Sequence, residues 1–224
     1  MLVKLLSRVK GRDIAISGSV PTSYLLGLAW SKALDLLRGL LRTRRLMFLG
    51  RGTRIKAAKQ LYTRRGVEIG PYCHIDCLSQ EGLSIGRSSK IGAYSIINVS
   101  GTLSDPGKCI RIGNNVGIGD YAHIGGAGGV SIGDDTITGA YLSIHPENHN
   151  FADLDTPIRL QGVNRKGIQI GANCWLGAKV TVLDGSVIGA GCIVAAGAVV
   201  SGVFEDNLII GGVPAKVIGK RAAE

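Results

Sequence analysis

Ile170-Gly171-Ala172-Asn173-Cys174 is followed six residues on by Leu176-Gly177-Ala178-Lys179-Val180. The same beat returns at Ile188-Gly189-Ala190-Gly191-Cys192 and Val194-Ala195-Ala196-Gly197-Ala198. Each unit opens on an aliphatic residue, often takes glycine second, and places a small residue fifth. A period of six is neither the 3.6 of a helix nor the 2 of a single strand, so it must describe a larger coil. Three short strands per turn give about 18 residues to the coil. Aliphatics then stack inside a triangular prism, glycines permit tight corners, and each coil buries its apolar face only against its neighbours.

Toward the N-terminus the unit recurs at Ile69-Gly70-Pro71-Tyr72-Cys73, Ile85-Gly86-Arg87-Ser88-Ser89 and Ile91-Gly92-Ala93-Tyr94-Ser95, then at Ile118-Gly119 and Ile132-Gly133. Residues 80–87 and 104–111 read as small extrusions between coils. Cys73, Cys174 and Cys192 hold the small fifth position, which makes them core residues. With Cys77 and Cys109 they form no zinc-type pair of pairs, and the expected state is free thiols in a reducing cytoplasm.

The beat lapses once, between Tyr141 and Gly171, where Ile144-His145-Pro146-Glu147-Asn148-His149-Asn150-Phe151 leads into an irregular loop through Lys166. A rigid frame interrupted at a pair of histidines is where a site is expected. The chain of 224 residues thus divides into a basic, partly helical extension (1–66) and a repeat domain (67–224) with an inserted loop at about 149–167.

Charge is unevenly spread. Residues 1–66 carry 15 Lys/Arg against Asp13 and Asp35, although the whole chain is only +10. Pro21-Thr22-Ser23 predicts a helix start capped by Thr22 or Ser23, and the pattern is helical from Tyr24 to about Phe48. Lys32, Asp35, Arg38 and Arg42 form a polar stripe, leaving Leu26, Trp30, Ala33, Leu34, Leu37 and Leu41 on other faces. One reading is a helix packed on the body with that polar stripe solvated. Another is attachment to an anionic membrane surface through Arg38, Arg42, Arg44, Arg45, Arg51 and the apolar face. Charges recur too often for a membrane span, and no recognition motif supports nucleic-acid binding. The opening Met1 to Val9 stretch, interrupted by Lys4 and Arg8, lacks a cleavage site. The expected location is the cytoplasm, at the inner face of the membrane if the helix attaches.

From about residue 50 to residue 221 the repeat resembles that of the hexapeptide-repeat acyltransferases, and most closely the sugar and exopolysaccharide O-acetyltransferases similar to the galactoside and maltose enzymes. The resemblance implies a mainly β fold: a left-handed parallel β-helix with an N-terminal helical extension and a short C-terminal cap. It also implies a homotrimer with sites between neighbouring prisms, acetyl-CoA as co-substrate and a saccharide acceptor. Counting from Ile132, the family's catalytic histidine falls at His149. Imidazole titrates near neutrality and suits removal of a proton from an alcohol. On the acceptor side the resemblance points to His145, Glu147, Asn148 and Arg159, with Tyr121 where the galactoside and maltose enzymes place an asparagine. On the coenzyme side it points to Trp175, Gly177, Ala178, Ala196, Lys216 and Arg221, with Ser201-Gly202 where many relatives have Thr-Lys. Amino-sugar N-acylation would use the same fold and histidine. A γ-type carbonic anhydrase is disfavoured by the spacing of His74, His123, His145 and His149, and a non-enzymatic scaffold is the remaining alternative.

Overall fold

The computed structural model of the chain describes residues 16–221. Helix α1 (Thr22–Thr43) comes first, and three parallel faces of short strands follow. The first face runs from Phe48–Leu49 to Leu208–Gly212 and the second from Arg54–Lys56 to Val199–Val200. The third runs from Leu61–Thr63 to Val203–Phe204. The chain visits them in rotation, so each circuit is one coil of a prism. The antiparallel strand Ala215–Lys220 closes the last coil against Leu208–Gly212.

Register shows how the six-residue beat fills the interior. Ile55, Ile75, Ile97, Ile124, Ile144, Val182 and Val200 form one inward column on the second face. All but Ile55 are fully buried, and each is worth about 1.5–3 kcal/mol against exposure to water. Trp175 pairs with Ile193, 18 residues on, as a bare coil requires. Ile137 pairs with Trp175, 38 residues on, because the inserted loop leaves between them.

Three expectations are corrected. The prism begins at Phe48 rather than after residue 66: Leu49, Ile55 and Leu61 already keep the beat, with exposed basic residues on the alternate positions masking it. The extrusions are residues 77–82 and 99–109, because Leu83–Ile85 and Ile110–Ile112 are strands of the third face with alternate residues buried. The helix N-cap is Pro21, which makes no side-chain hydrogen bond, so neither Thr22 nor Ser23 caps it.

The fourth correction concerns which side of α1 meets the body. The polar stripe faces inward. In a parallel ladder alternate residues bond alternate neighbours, so the first coil presents carbonyls where no coil precedes it. Arg38 donates to Leu49 O, Arg42 to Thr53 O at 3.0 Å and Arg45 to Ala58 O at 3.1 Å. Lys32 lies 2.6 Å from the buried Glu68 carboxylate and over the Phe48 ring. The helix thus caps the open end of the prism with its charges. Residues 1–15, with Asp13 and the opening apolar stretch, lie outside the described residues.

The corner between the first and second faces carries a column of tyrosines. Tyr72, Tyr94, Tyr121 and Tyr141 all hold left-handed φ values of 56–62°. Their rings stack nearly parallel at 5.4, 5.1 and 5.0 Å, and stacking of this kind offsets an unfavourable backbone region by about 0.5–1.5 kcal/mol per pair.

Candidate active site

The inserted loop leaves the corner between the second and third faces after Ser143–His145 and rejoins the third face at Ile168–Ile170. Its root is tied down twice. The Lys166 and Gly167 N–H groups donate to the buried Asp184 carboxylate at 2.8–3.0 Å. Arg165 sits 2.6 Å from Glu147 and 2.8 Å from Asp105, which joins this loop to the extrusion of the coil before it. Burial works against the Arg165 charge, and the two carboxylates outweigh it, raising the guanidinium above its usual value.

Beyond the root the loop is a short antiparallel hairpin in which Asn148 pairs with Asn164 and His149 with Val163. Asn150 braces its far end, donating from Nδ2 to Gln161 O and accepting from Asn164 Nδ2, both at 3.0 Å. The Gln161 amide donates to Asp153 O and Thr156 O and accepts from the Asp153 N–H. These bonds hold open a cleft of about 610 Å³ lined by His149, Phe151, Asp153, Thr156, Leu160 and Asn164, among others. His149 is exposed, and among the described residues its ring has no hydrogen-bond partner, so both nitrogens can meet a ligand. Phe151 and Leu160 are 71% and 61% exposed and give the cleft an apolar wall. The arrangement offers a free imidazole, an aromatic surface and amide and hydroxyl groups, which suits a polyhydroxylated acceptor.

The other acceptor-side residues are dispersed. His145 ends a strand of the second face, with Nε2 2.7 Å from Ser143 Oγ and its ring stacked on His123 at 5.4 Å. Burial, and then the neighbouring His145, lowers the His123 pKa. Glu147 is engaged by Arg165, so it is not the partner of a histidine. Strand alternation puts Asn148 on the side of the hairpin away from His149, and it does not line the cleft. Arg159 is exposed on the turn Ile158–Leu160, also outside the cleft lining. Tyr121 belongs to the tyrosine column at another corner. Thr156, Leu160 and Gln161, which belong to the stretch 153–162 that resembles the family's acceptor-side loop, line the cleft with Asn164, which has no signature in the sequence.

The coenzyme-side residues fall at three corners. Ala178 and Ala196 are exposed one above the other at the corner between the first and second faces, where Lys179 and Gly197 continue the tyrosine column. Trp175 is 53% exposed on the adjoining first face, beside Ile137 and Ile193. Lys216 lies opposite Gly211, past the end of that face, and extends the same corner. Gly177 is buried: its N–H donates to Val194 O, and a Cβ there would fall 2.6 Å from Ala196 N, so it serves the close stacking of coils. Ser201 is exposed at the corner where the loop emerges, and Arg221 donates to Gly191 O at the third corner. The residues gathered are therefore Trp175, Ala178, Ala196 and Lys216, with Lys179 added.

All five cysteines are buried and free. Burial and the Asp76 charge push the Cys77 thiol up to about 12, which holds it protonated and unreactive.

Residues 167–202 match the family model described as bacterial transferase hexapeptide (six repeats). A probable acetyltransferase of Mycobacterium tuberculosis is 33% identical over 179 residues, covering 80% of this chain and 51% of that protein. WbbJ of Escherichia coli, whose name assigns it to lipopolysaccharide biosynthesis as an O-acetyl transferase, is 36% identical over 118 residues, covering 50% of this chain and 60% of its own. The chain thus spans only about half to three-fifths of the length of these relatives. Among solved structures, AntD, an N-acyltransferase from Bacillus cereus in complex with dTDP and 3-hydroxybutyryl-CoA, is 20% identical with a TM-score of 0.54. The match covers 77% of this chain and 85% of that one. The fold of this chain is the left-handed parallel β-helix with an N-terminal helix.

Proposed function

We propose that this chain, whose residues 167–202 match the hexapeptide-repeat transferase family, moves an acetyl group from acetyl-CoA to a hydroxyl of a sugar in a surface polysaccharide or its precursor. The observation that carries the proposal is the unpartnered imidazole of His149 in a braced cleft on a rigid frame. The relatives named as acetyltransferases support the reaction class.

In this reading the acceptor lies against Phe151 with its hydroxyl on His149. The imidazole takes the hydroxyl proton as the oxygen attacks the thioester carbonyl. A tetrahedral oxyanion forms, which backbone N–H groups can stabilise. Its collapse breaks the carbon–sulfur bond, the new ester leaves, and the thiolate of coenzyme A receives the proton from His149. No covalent bond to the protein is made. Acetyl-CoA runs along the corner of Ala178, Lys179 and Ala196, where small side chains admit a pantetheine arm and Lys179 and Lys216 offer cations to its phosphates. That corner and the His149 loop lie on different edges of one prism. The reading therefore joins them between neighbouring copies of a homotrimer.

Replacing His149 with Ala lowers kcat by about 10²–10⁴-fold while the fold by circular dichroism and the KM for acetyl-CoA stay unchanged. A variant with near-normal kcat removes His149 from the mechanism. The same base serves an amine acceptor, and resistance of the product to hydroxylamine would mark an amide instead of an ester.

A further inference from the structure

Because α1 spends its polar side on capping the prism, its apolar side is left outward. Leu26, Trp30, Leu34, Leu37, Leu40 and Leu41 are 63%, 70%, 39%, 51%, 45% and 73% exposed. At 3.6 residues per turn these six fall within an arc of about 120°. No charged residue between Leu26 and Leu41 enters that arc. Such a stripe is the width that a surface helix normally turns to a core. Here the core side is taken by Lys32, Asp35, Arg38 and Gly39.

The surroundings of the stripe are cationic. From residue 16 to residue 66 there are 11 Lys/Arg and a single acid, Asp35. Arg44, Arg51, Arg54, Lys56 and Lys59 are exposed on the helix end and the first coil. Among the described residues no helix is long and apolar enough to cross a membrane.

We propose that this end of the prism docks on an anionic lipid surface, with α1 lying in the interface plane. The stripe enters the apolar boundary and the cations of the first coil meet lipid headgroups. Charge complementarity selects this occupant: a second copy facing the same surface would bring two strongly positive ends together. The inference is independent of the acyl-transfer reading, because vesicle binding requires no substrate.

The test is flotation of the full chain with vesicles of phosphatidylcholine, alone or mixed with phosphatidylglycerol, beside a Trp30→Ser/Leu37→Ser/Leu41→Ser variant whose mass is measured by light scattering. The native chain is expected to float with the anionic vesicles at least about tenfold more than with neutral ones, and less as salt rises. The variant should lose about tenfold or more of that binding at unchanged oligomeric mass. No flotation with anionic vesicles overturns the proposal, as does equal flotation of the variant. A variant that falls to a smaller oligomer overturns it too, and assigns the stripe to a second copy. If the variant fails to fold, Trp emission of the native chain decides. A blue shift on adding anionic vesicles that vanishes in Trp30→Phe supports docking, and no shift refutes it.

Discussion

One corner of the prism is built seven times with the same backbone and two different contents. Gly52, Tyr72, Tyr94, Tyr121, Tyr141, Lys179 and Gly197 occupy it in successive coils, all with φ between 56° and 73°. In the middle coils the position carries four stacked rings. In the last two it carries Lys179 and Gly197, flanked by the exposed Ala178 and Ala196. From Tyr72 onward, hydrogen bonds between coils hold the conformation: Tyr121 N–H donates to Ala93 O just as Gly197 N–H donates to Ala178 O. The frame therefore sets the corner, and the side chain is free to take a different task in each half. Stacked aromatics cover one half, while small residues leave the other uncovered beside Lys179.

The largest effect that sharpens this contrast is expected at the open half. Ala196→Trp fills the corner where the coenzyme is proposed to lie, and should raise the KM for acetyl-CoA by about tenfold or more, a loss of about 1.4 kcal/mol. Because the position is exposed, thermal unfolding should move little. An unchanged KM would separate the corner from coenzyme binding. A smaller effect is expected at the aromatic half. Tyr94→Ala removes two ring stacks, worth about 1–3 kcal/mol together, and should lower Tm by several degrees while leaving the KM for acetyl-CoA unchanged. If Tyr94→Ala shifted KM as strongly as Ala196→Trp, the two halves would not differ in task.

Much of this architecture is readable in the residues. The six-residue aliphatic beat is the interior column itself, so it predicts coils, corners and buried thiols together. The tyrosine column has a sequence signature of its own: Gly70-Pro71-Tyr72, Gly92-Ala93-Tyr94, Gly119-Asp120-Tyr121 and Gly139-Ala140-Tyr141 each set Tyr two residues after Gly. The first coil was hidden because its outward positions are basic, and charge on an outward strand position says nothing about the inward one. The orientation of α1 was illegible for a different reason. Amphipathicity defines two sides, but only the unpaired carbonyls of the first coil decide that the charged side packs.

At the site, His149 is singled out by the family resemblance through its distance from Ile132, and it lines the cleft of the inserted loop. Counting could not show that Glu147 pairs with Arg165 on the return of the hairpin, nor that Gln161 braces Asp153 and Thr156. Those contacts depend on how an irregular loop folds back on itself. Such pairings have no period to read.

The most direct measurement of the account is release of the coenzyme A thiol from acetyl-CoA by the native chain, followed against a panel of sugars, nucleotide sugars and lipid-linked saccharides. The account predicts release that depends on one class of saccharide and a product heavier by one acetyl group. Release no faster than in buffer with every acceptor, from folded protein, would contradict it.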